Sequence, residues 1–389
     1  MNIGDKHYDD PNYQKALSRL DVAILGFYPG WKTNYSYGGD KGIRAAVKAI
    51  KDRNPDILLG QYTILGDATT ANDPKYSADK DKAQKLDAEN WWLRKADGSK
   101  VRWTKEYDTY DVNVGTFTRK DDQGRYWPQW LAQRDYNKYF KPVPQFDIWY
   151  FDNVFEKSRI PSADWNEDGA DDRNVDPRYS SMYRKAHLAE WREAHKLAPR
   201  LMLMANVDHD LSAPEYRGKL QGAFLEGMMG KSWSIERQHG WQAMMRIYHS
   251  VIRNTVAPRI VGFNVWGKPT DYRFFRYAFA STLMDDGYFS FTDEAKGYSS
   301  VPWFDEYDVS LGRPVEGAQT KPWKRGVYRR IFQKGMVLVN PSPHEVMVTV
   351  DPGYKRIAGK QDPDINDGRP VKTVTLPAKD GIILRRTSS

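Results

Sequence analysis

Eight short apolar runs of strand length recur along the chain, each followed by a polar or glycine-containing stretch and then a helix-like segment. They are residues 21–28 (DVAILGFY), 56–65 (DILLGQYTIL), 109–114 (TYDVNV), 146–154 (FDIWYFDNV), 201–207 (LMLMANV), 223–229 (AFLEGMM), 260–266 (IVGFNVW) and 288–291 (YFSF). Most are continuous rather than alternating, as expected of strands buried on both faces in a parallel sheet covered by helices. The run at 109–114 stands apart, because the stretch before it, 66–108, is polar and Trp-rich. Segments 42–53, 179–197, 240–254 and 271–284 carry apolar residues at helical spacing. The alternation predicts an α/β fold, a (β/α)8 TIM barrel.

After Gly312 the pattern changes to β segments at 326–333, 336–340, 345–350, 371–376 and 381–386, punctuated by PSP, DPG, NDG and KDG turns. A small antiparallel β-sandwich domain is expected there, with the barrel spanning 1–320 and the C-terminal domain 321–389. The length of 389 residues suits this division, since such barrels take about 250 residues and often more.

The net charge of +8 raises the question of nucleic acid, but the 59 basic residues are interspersed with 51 acids and no basic arm exists. No nucleic-acid partner is expected. No apolar run approaches the ~18 residues of a membrane span. The absence of cysteine excludes disulfides and thiol chemistry. The opening MNIGDKHYDD lacks the pattern of a secretory signal, which leaves location open between the cytosol and export from a bacterial cell, with export favoured. The 14 Trp and 24 Tyr fit a carbohydrate cleft, where flat rings with a polar handle lie against sugar C–H faces.

In a barrel the active site forms at the C-terminal ends of the strands. Asp152 and Asn153 end the fourth run, Asn206 and Asp208 the fifth, Glu226 lies in the sixth, Asn264 and Trp266 in the seventh, and Asp293 follows the eighth. A carboxylate inside IWYFDNVF is costly to bury unless paired or working; the alternative is a helix cap or an ion pair. Glu226 in AFLEGMMG has the same character, and the glycine after it allows a close approach. Glycoside hydrolysis needs one carboxylate to attack or to activate water and one carboxyl to deliver a proton, and an apolar surrounding suits the proton donor. Asp208, in a polar loop where Asp is common for turn reasons, is the rival second carboxylate. Substrate contacts are expected from Tyr28, Trp31, Gln61, Tyr62, Trp92, Asn153, Asn206, Trp266 and Asp293.

Residues 164–172 (DWNEDGADD) resemble the first part of a calcium loop, with Asp164, Asn166, Asp168, the Ala170 carbonyl and Asp172 as ligands and Gly169 at the sharp turn. The Glu expected at the twelfth position is Val175, so a structural calcium is one reading and a plain acidic turn the other. The seven histidines show no zinc-ligand spacing. GxSxG, P-loop and GxGxxG motifs are absent, and no cofactor is required for the chemistry.

The stretches AILGFYPGW, FDIWYFDNVF, DWNEDG, VPWFDEYDVSLGRP, GMVLVNPSPHEVMVTV and KDGIILRR resemble a bacterial glycosyl-hydrolase-like (β/α)8-barrel family over nearly the whole chain. An Asp ending the fourth strand with an acid on the sixth is more distantly similar to the α-galactosidase and α-amylase-type glycoside hydrolases. The α-galactosidase likeness implies Asp152 as nucleophile, Glu226 as acid/base and retention of configuration. The Lys usual two residues before that nucleophile is Tyr150 here, so the sugar stays open. The expectation is a glycoside hydrolase cleaving an α-linked glycan, a bacterial exopolysaccharide or envelope polysaccharide. An inverting hydrolase or transglycosylase using the same acids, or an inactive glycan-binding barrel, are the alternatives.

Overall fold

The computed structural model describes residues 1–4, 8–26, 31, 40–70, 79–207, 211 and 213–387. Of the expected site residues, Tyr28 and Asp208 lie outside these. The fold is a (β/α)8 barrel with a C-terminal β domain. Its parallel sheet has eight strands. The chain divides into two compact units, residues 1–224 with 255–258, and 225–254 with 259–389.

In the first unit, β1 (Asn2–Ile3), β2 (Val22–Leu25), β3 (Leu58–Ile64), β6 (Ile148–Asp152) and β9 (Met202–Asn206) pair in parallel, each beside the next. Two short antiparallel hairpins interrupt the alternation. One is β4 (Asp67–Thr69) with β5 (Thr109–Asp111), the other β7 (Ser162–Ala163) with β8 (Asp172–Arg173). The run at 109–114 is therefore no barrel strand. It alternates because it forms a hairpin partner, and the eighth place in the sheet goes to β1, two residues long. Asp152 still ends the fourth strand of the barrel, because one strand is gained before it and one lost.

Part of the Trp-rich stretch packs inward. Trp91, Trp92, Trp127, Leu131 and Tyr183 form one buried cluster. At about 25 cal/mol per Å2 and about 200 Å2 per indole, each of these tryptophans gains on the order of 5 kcal/mol by leaving water. The helix Pro177–Leu197 starts where Asp176 accepts the Arg178 N–H at 2.8 Å, with Pro177 as its first residue. It buries Tyr179, Met182, Tyr183, Ala186, Glu190 and Ala194, a stripe at three- and four-residue spacing.

β10 (Gly222–Met229) runs from the first unit into the second. In the second unit β11 (Ile260–Gly267) and β12 (Tyr288–Asp293) pair in parallel over six residue pairs. The C-terminal strands β13 (Tyr328–Phe332), β14 (Gly335–Asn340), β15 (Val346–Arg356), β16 (Pro370–Leu376) and β17 (Asp380–Arg386) form one antiparallel sheet in the order β13-β14-β17-β15-β16. Val348, Val350, Val374, Ile382 and Leu384 build its core. The helix Tyr272–Thr282 packs on this sheet as a second layer where a second sheet was expected. Arg276 of that helix bonds Asp380 at 3.1 Å and pairs with Asp362, and a Cβ on Gly381 would lie 2.4 Å from that of Ala280.

Candidate active site

Asp152 ends β6, whose first four residues are buried and whose last is half-buried. Its neighbours in the sheet are β3 and β9, and each supplies one donor. The Tyr62 hydroxyl donates to Oδ2 at 2.6 Å and the Asn206 amide to Oδ1 at 3.0 Å. Register explains the first bond: Tyr62 aligns with Tyr150 and Ile64 with Asp152, so Tyr62 and Asp152 share a face of the sheet. Asn153 takes φ 55, the left-handed region, and turns the chain off the strand. Burial is the largest influence on Asp152 and raises its pKa, while the bonds from Tyr62 and Asn206 pull the other way. Tyr62 itself is pushed well above its usual value by burial and by the Asp152 charge.

A second acidic group stands beside it. Asp67 and Asp111 are direct cross-strand partners in the hairpin that follows β3. Arg159 ion-pairs with Asp67 and approaches Asp111 at 3.6 Å. Burial pushes Asp111 up to about 7 against the pull of Arg159, with Asp67 adding to the rise. Neither acid nor Arg159 was expected from the sequence. Asp67 and Arg159 fall in loop-like stretches where a lone charge carries no signal, and Asp111 lies inside the 109–114 run rather than at its end.

In the second unit, Glu226 sits in β10 with its Oε1 accepting the Tyr298 hydroxyl at 2.6 Å. Tyr298 lies edge-on to Trp266, ring centroids 5.3 Å apart, and the Lys231 ammonium stands 4.3 Å from the Trp266 ring. The Trp266 Nε1 is buried and has no hydrogen-bond partner among the described residues. Gly227 has φ 64, and a Cβ there would meet the Trp233 ring at 1.9 Å. The close approach expected after Glu226 is thus made by an indole. Asn264 is fully buried and ties three strands: its Oδ1 accepts the Gly227 N–H at 3.0 Å and its amide donates to Thr292 Oγ1 at 2.8 Å.

Other expected contacts fall elsewhere. Trp92 is 1% exposed, packed in the core, and its indole N–H donates to Asp87 at 2.7 Å; it has no face for a sugar, and that expectation is corrected. Trp31 and Gln61 are buried and bond each other at 2.9 Å. Asp293 is buried, and its Oδ1 accepts the N–H groups of Ala295 and Lys296, shaping the turn after β12. In the 164–172 loop, Asp164 accepts the N–H groups of Asp168 and Gly169, and Asp168 that of Ala170. Among the described residues no three acidic or histidine side chains converge where they could hold a metal. No described helix is long and apolar enough to cross a membrane.

Solved structures with this fold include an Anoxybacillus alpha-amylase, at 10% identity and TM-score 0.53 over 98% of this chain and 90% of that one. Amy13B of Eubacterium rectale has 10% identity and TM-score 0.53 over 100% and 94%. An alpha-amylase from Geobacillus thermoleovorans, complexed with acarbose, has 9% identity and TM-score 0.51 over 98% and 91%. At such identities the likeness is one of fold alone. No curated protein sequence matches significantly. The model of hypothetical glycosyl hydrolase family 15 matches residues 51–336, the greater part of the barrel with both carboxylates, and the chain belongs to that family, among the glycoside hydrolases.

Proposed function

We propose that the protein cleaves an α-linked glycan, a bacterial exopolysaccharide or envelope polysaccharide, with retention of configuration, Asp152 acting as nucleophile and Glu226 as acid/base. The observation that carries the reading is the grip on Asp152. Both of its oxygens accept hydrogen bonds, from Tyr62 and Asn206. The two bonds orient the carboxylate and favour its charged form against the burial that raises its pKa, which suits attack. Glu226, inside β10 and accepting a phenol hydroxyl, takes the proton-donor role by its place on the sixth barrel strand. Trp266, with a buried indole N–H that no described residue accepts, and Asn153 are the substrate contacts this reading favours.

Soluble starch, pullulan, dextran and galactomannan, incubated with the protein and followed by anomeric proton NMR, test both substrate and stereochemistry. Retained anomers, with loss of at least ~10^3-fold in turnover for both Asp152→Asn and Glu226→Gln, support the assignment. Near-native turnover in either variant, with the fold intact by circular dichroism, removes that residue from its role.

On ligand spacing alone, we also propose a structural calcium ion for the 164–172 loop. Gly169, at φ 88, makes the sharp turn that such a loop requires.

A further inference from the structure

We propose that Trp103 and Tyr107 form a glycan-binding platform, a subsite for a neutral pyranose unit of the substrate away from the reacting bond. The inference rests on the glycosidase reading and extends it to residues that the sequence did not single out. Trp103 is 52% exposed and Tyr107 49%, among the most exposed large aromatic side chains of the described chain. Their rings lie near-parallel, 16° apart, with centroids separated by 6.3 Å, an offset pair rather than a random cluster.

An exposed aromatic ring alone needs no explanation. The mounting of this one does. The backbone N–H of Trp103 donates to Asp111 Oδ2 at 2.9 Å. The Arg159 guanidinium lies 4.4 Å from the Trp103 ring, and is itself held by Asp67 and Asp111. A nearly buried guanidinium, itself held by two buried acids, thus stands against a ring that water reaches, and one of those acids also anchors the backbone that carries the ring. A side chain ordered in advance loses little entropy when a ligand lies on it, which is the use of a rigid aromatic anchor.

Position links the platform to Asp152. The hairpin strand carrying Asp67 begins three residues after Ile64, and Ile64 is the register partner of Asp152. The platform is therefore tied to the C-terminal end of the strand beside Asp152. Two rings are far too small for a stable protein interface, which needs about 800 Å2 per partner. They match the C–H face of a sugar, and the indole N–H and phenol at their rims are polar handles for hydroxyls.

Native gels containing amylopectin, pullulan, dextran or galactomannan provide the test, run with Asp152→Asn as the background so that binding is read without turnover. The expected result is retardation of Asp152→Asn in at least one gel. Adding Trp103→Ala should weaken that binding at least ~10-fold, and Trp103→Phe should restore part of it, with unchanged circular dichroism throughout. Equal retardation with and without Trp103, or no retardation in any gel, overturns the platform. Turnover remaining in Asp152→Asn would instead overturn the nucleophile assignment, so the two failures are separable.

Discussion

The hydroxyl of Tyr62 donates to Oδ2 of Asp152 across 2.6 Å, from the strand alongside. A bond to an ionised carboxylate is worth about 1.5–3 kcal/mol and favours the charged form. Removing it in Tyr62→Phe raises the pKa of Asp152 beyond the rise that burial already causes. The acidic limb of the kcat/KM profile should move to higher pH, and kcat should fall about 10- to 100-fold. A profile with both limbs unmoved would show that Asp152 is not the group titrating in that limb.

Asp152 also shapes stability. Because its pKa in the folded protein is raised above the ordinary carboxylate value, chiefly by burial, the native state holds its proton more tightly than the unfolded chain does. Its contribution to stability therefore falls as pH rises from the unfolded value through the folded one. Asp152→Asn removes the ionisable group while keeping an acceptor for the amide or hydroxyl. The variant should melt a few degrees higher than wild type at neutral pH, a gain that shrinks in acid. Thermal melts from pH 4 to 8 check this; a lower Tm for the variant at neutral pH would contradict it.

Arg159 holds two acids whose burial raises them both. Arg159→Met leaves Asp67 and Asp111 buried without their cation, a loss of about 3–5 kcal/mol where both are ionised. Lowering the pH through the raised pKa of Asp111, about 7 in the native protein and higher still without Arg159, lets the acids protonate and recovers part of the loss. Urea melts at pH 5 and 8 should show the larger deficit at pH 8. An equal deficit at both would mean that lost packing on Trp103, rather than charge, dominates.

Calcium is tested by melting. After dialysis against a chelator, millimolar calcium should raise the Tm by a few degrees, and Asp168→Asn should abolish the rise. The carboxylates of Asp164 and Asp168 accept backbone N–H groups, which hold the turn without an ion. A flat response in wild type would show that these bonds suffice.

The place of Asp152 at the end of the fourth barrel strand was legible in the sequence because a lone carboxylate ended an otherwise apolar run. The first barrel strand was not, since two residues, Asn2 and Ile3, are too short for any periodicity. Thr109–Asp111 carried strand character that was real but belonged to a hairpin. Trp92 looked like a sugar platform because composition cannot tell a core indole from a surface one. Tyr298, bonded to a glutamate 72 residues earlier, is a long-range partner that no local pattern announces. The same holds for Trp103, whose setting depends on Arg159 and Asp111 from separate segments.

Two side-chain donors to Asp152 come from the strands on either side of it, and this makes sheet register a chemical variable. A slip of β3 by one residue would turn Tyr62 to the opposite face of the sheet and replace its phenol with a neighbour that cannot reach the carboxylate. Molecules so misassembled would still be compact, with much the same secondary structure, yet would lose the phenol bond to Asp152. Specific activity then reports on strand alignment during refolding more sharply than circular dichroism can.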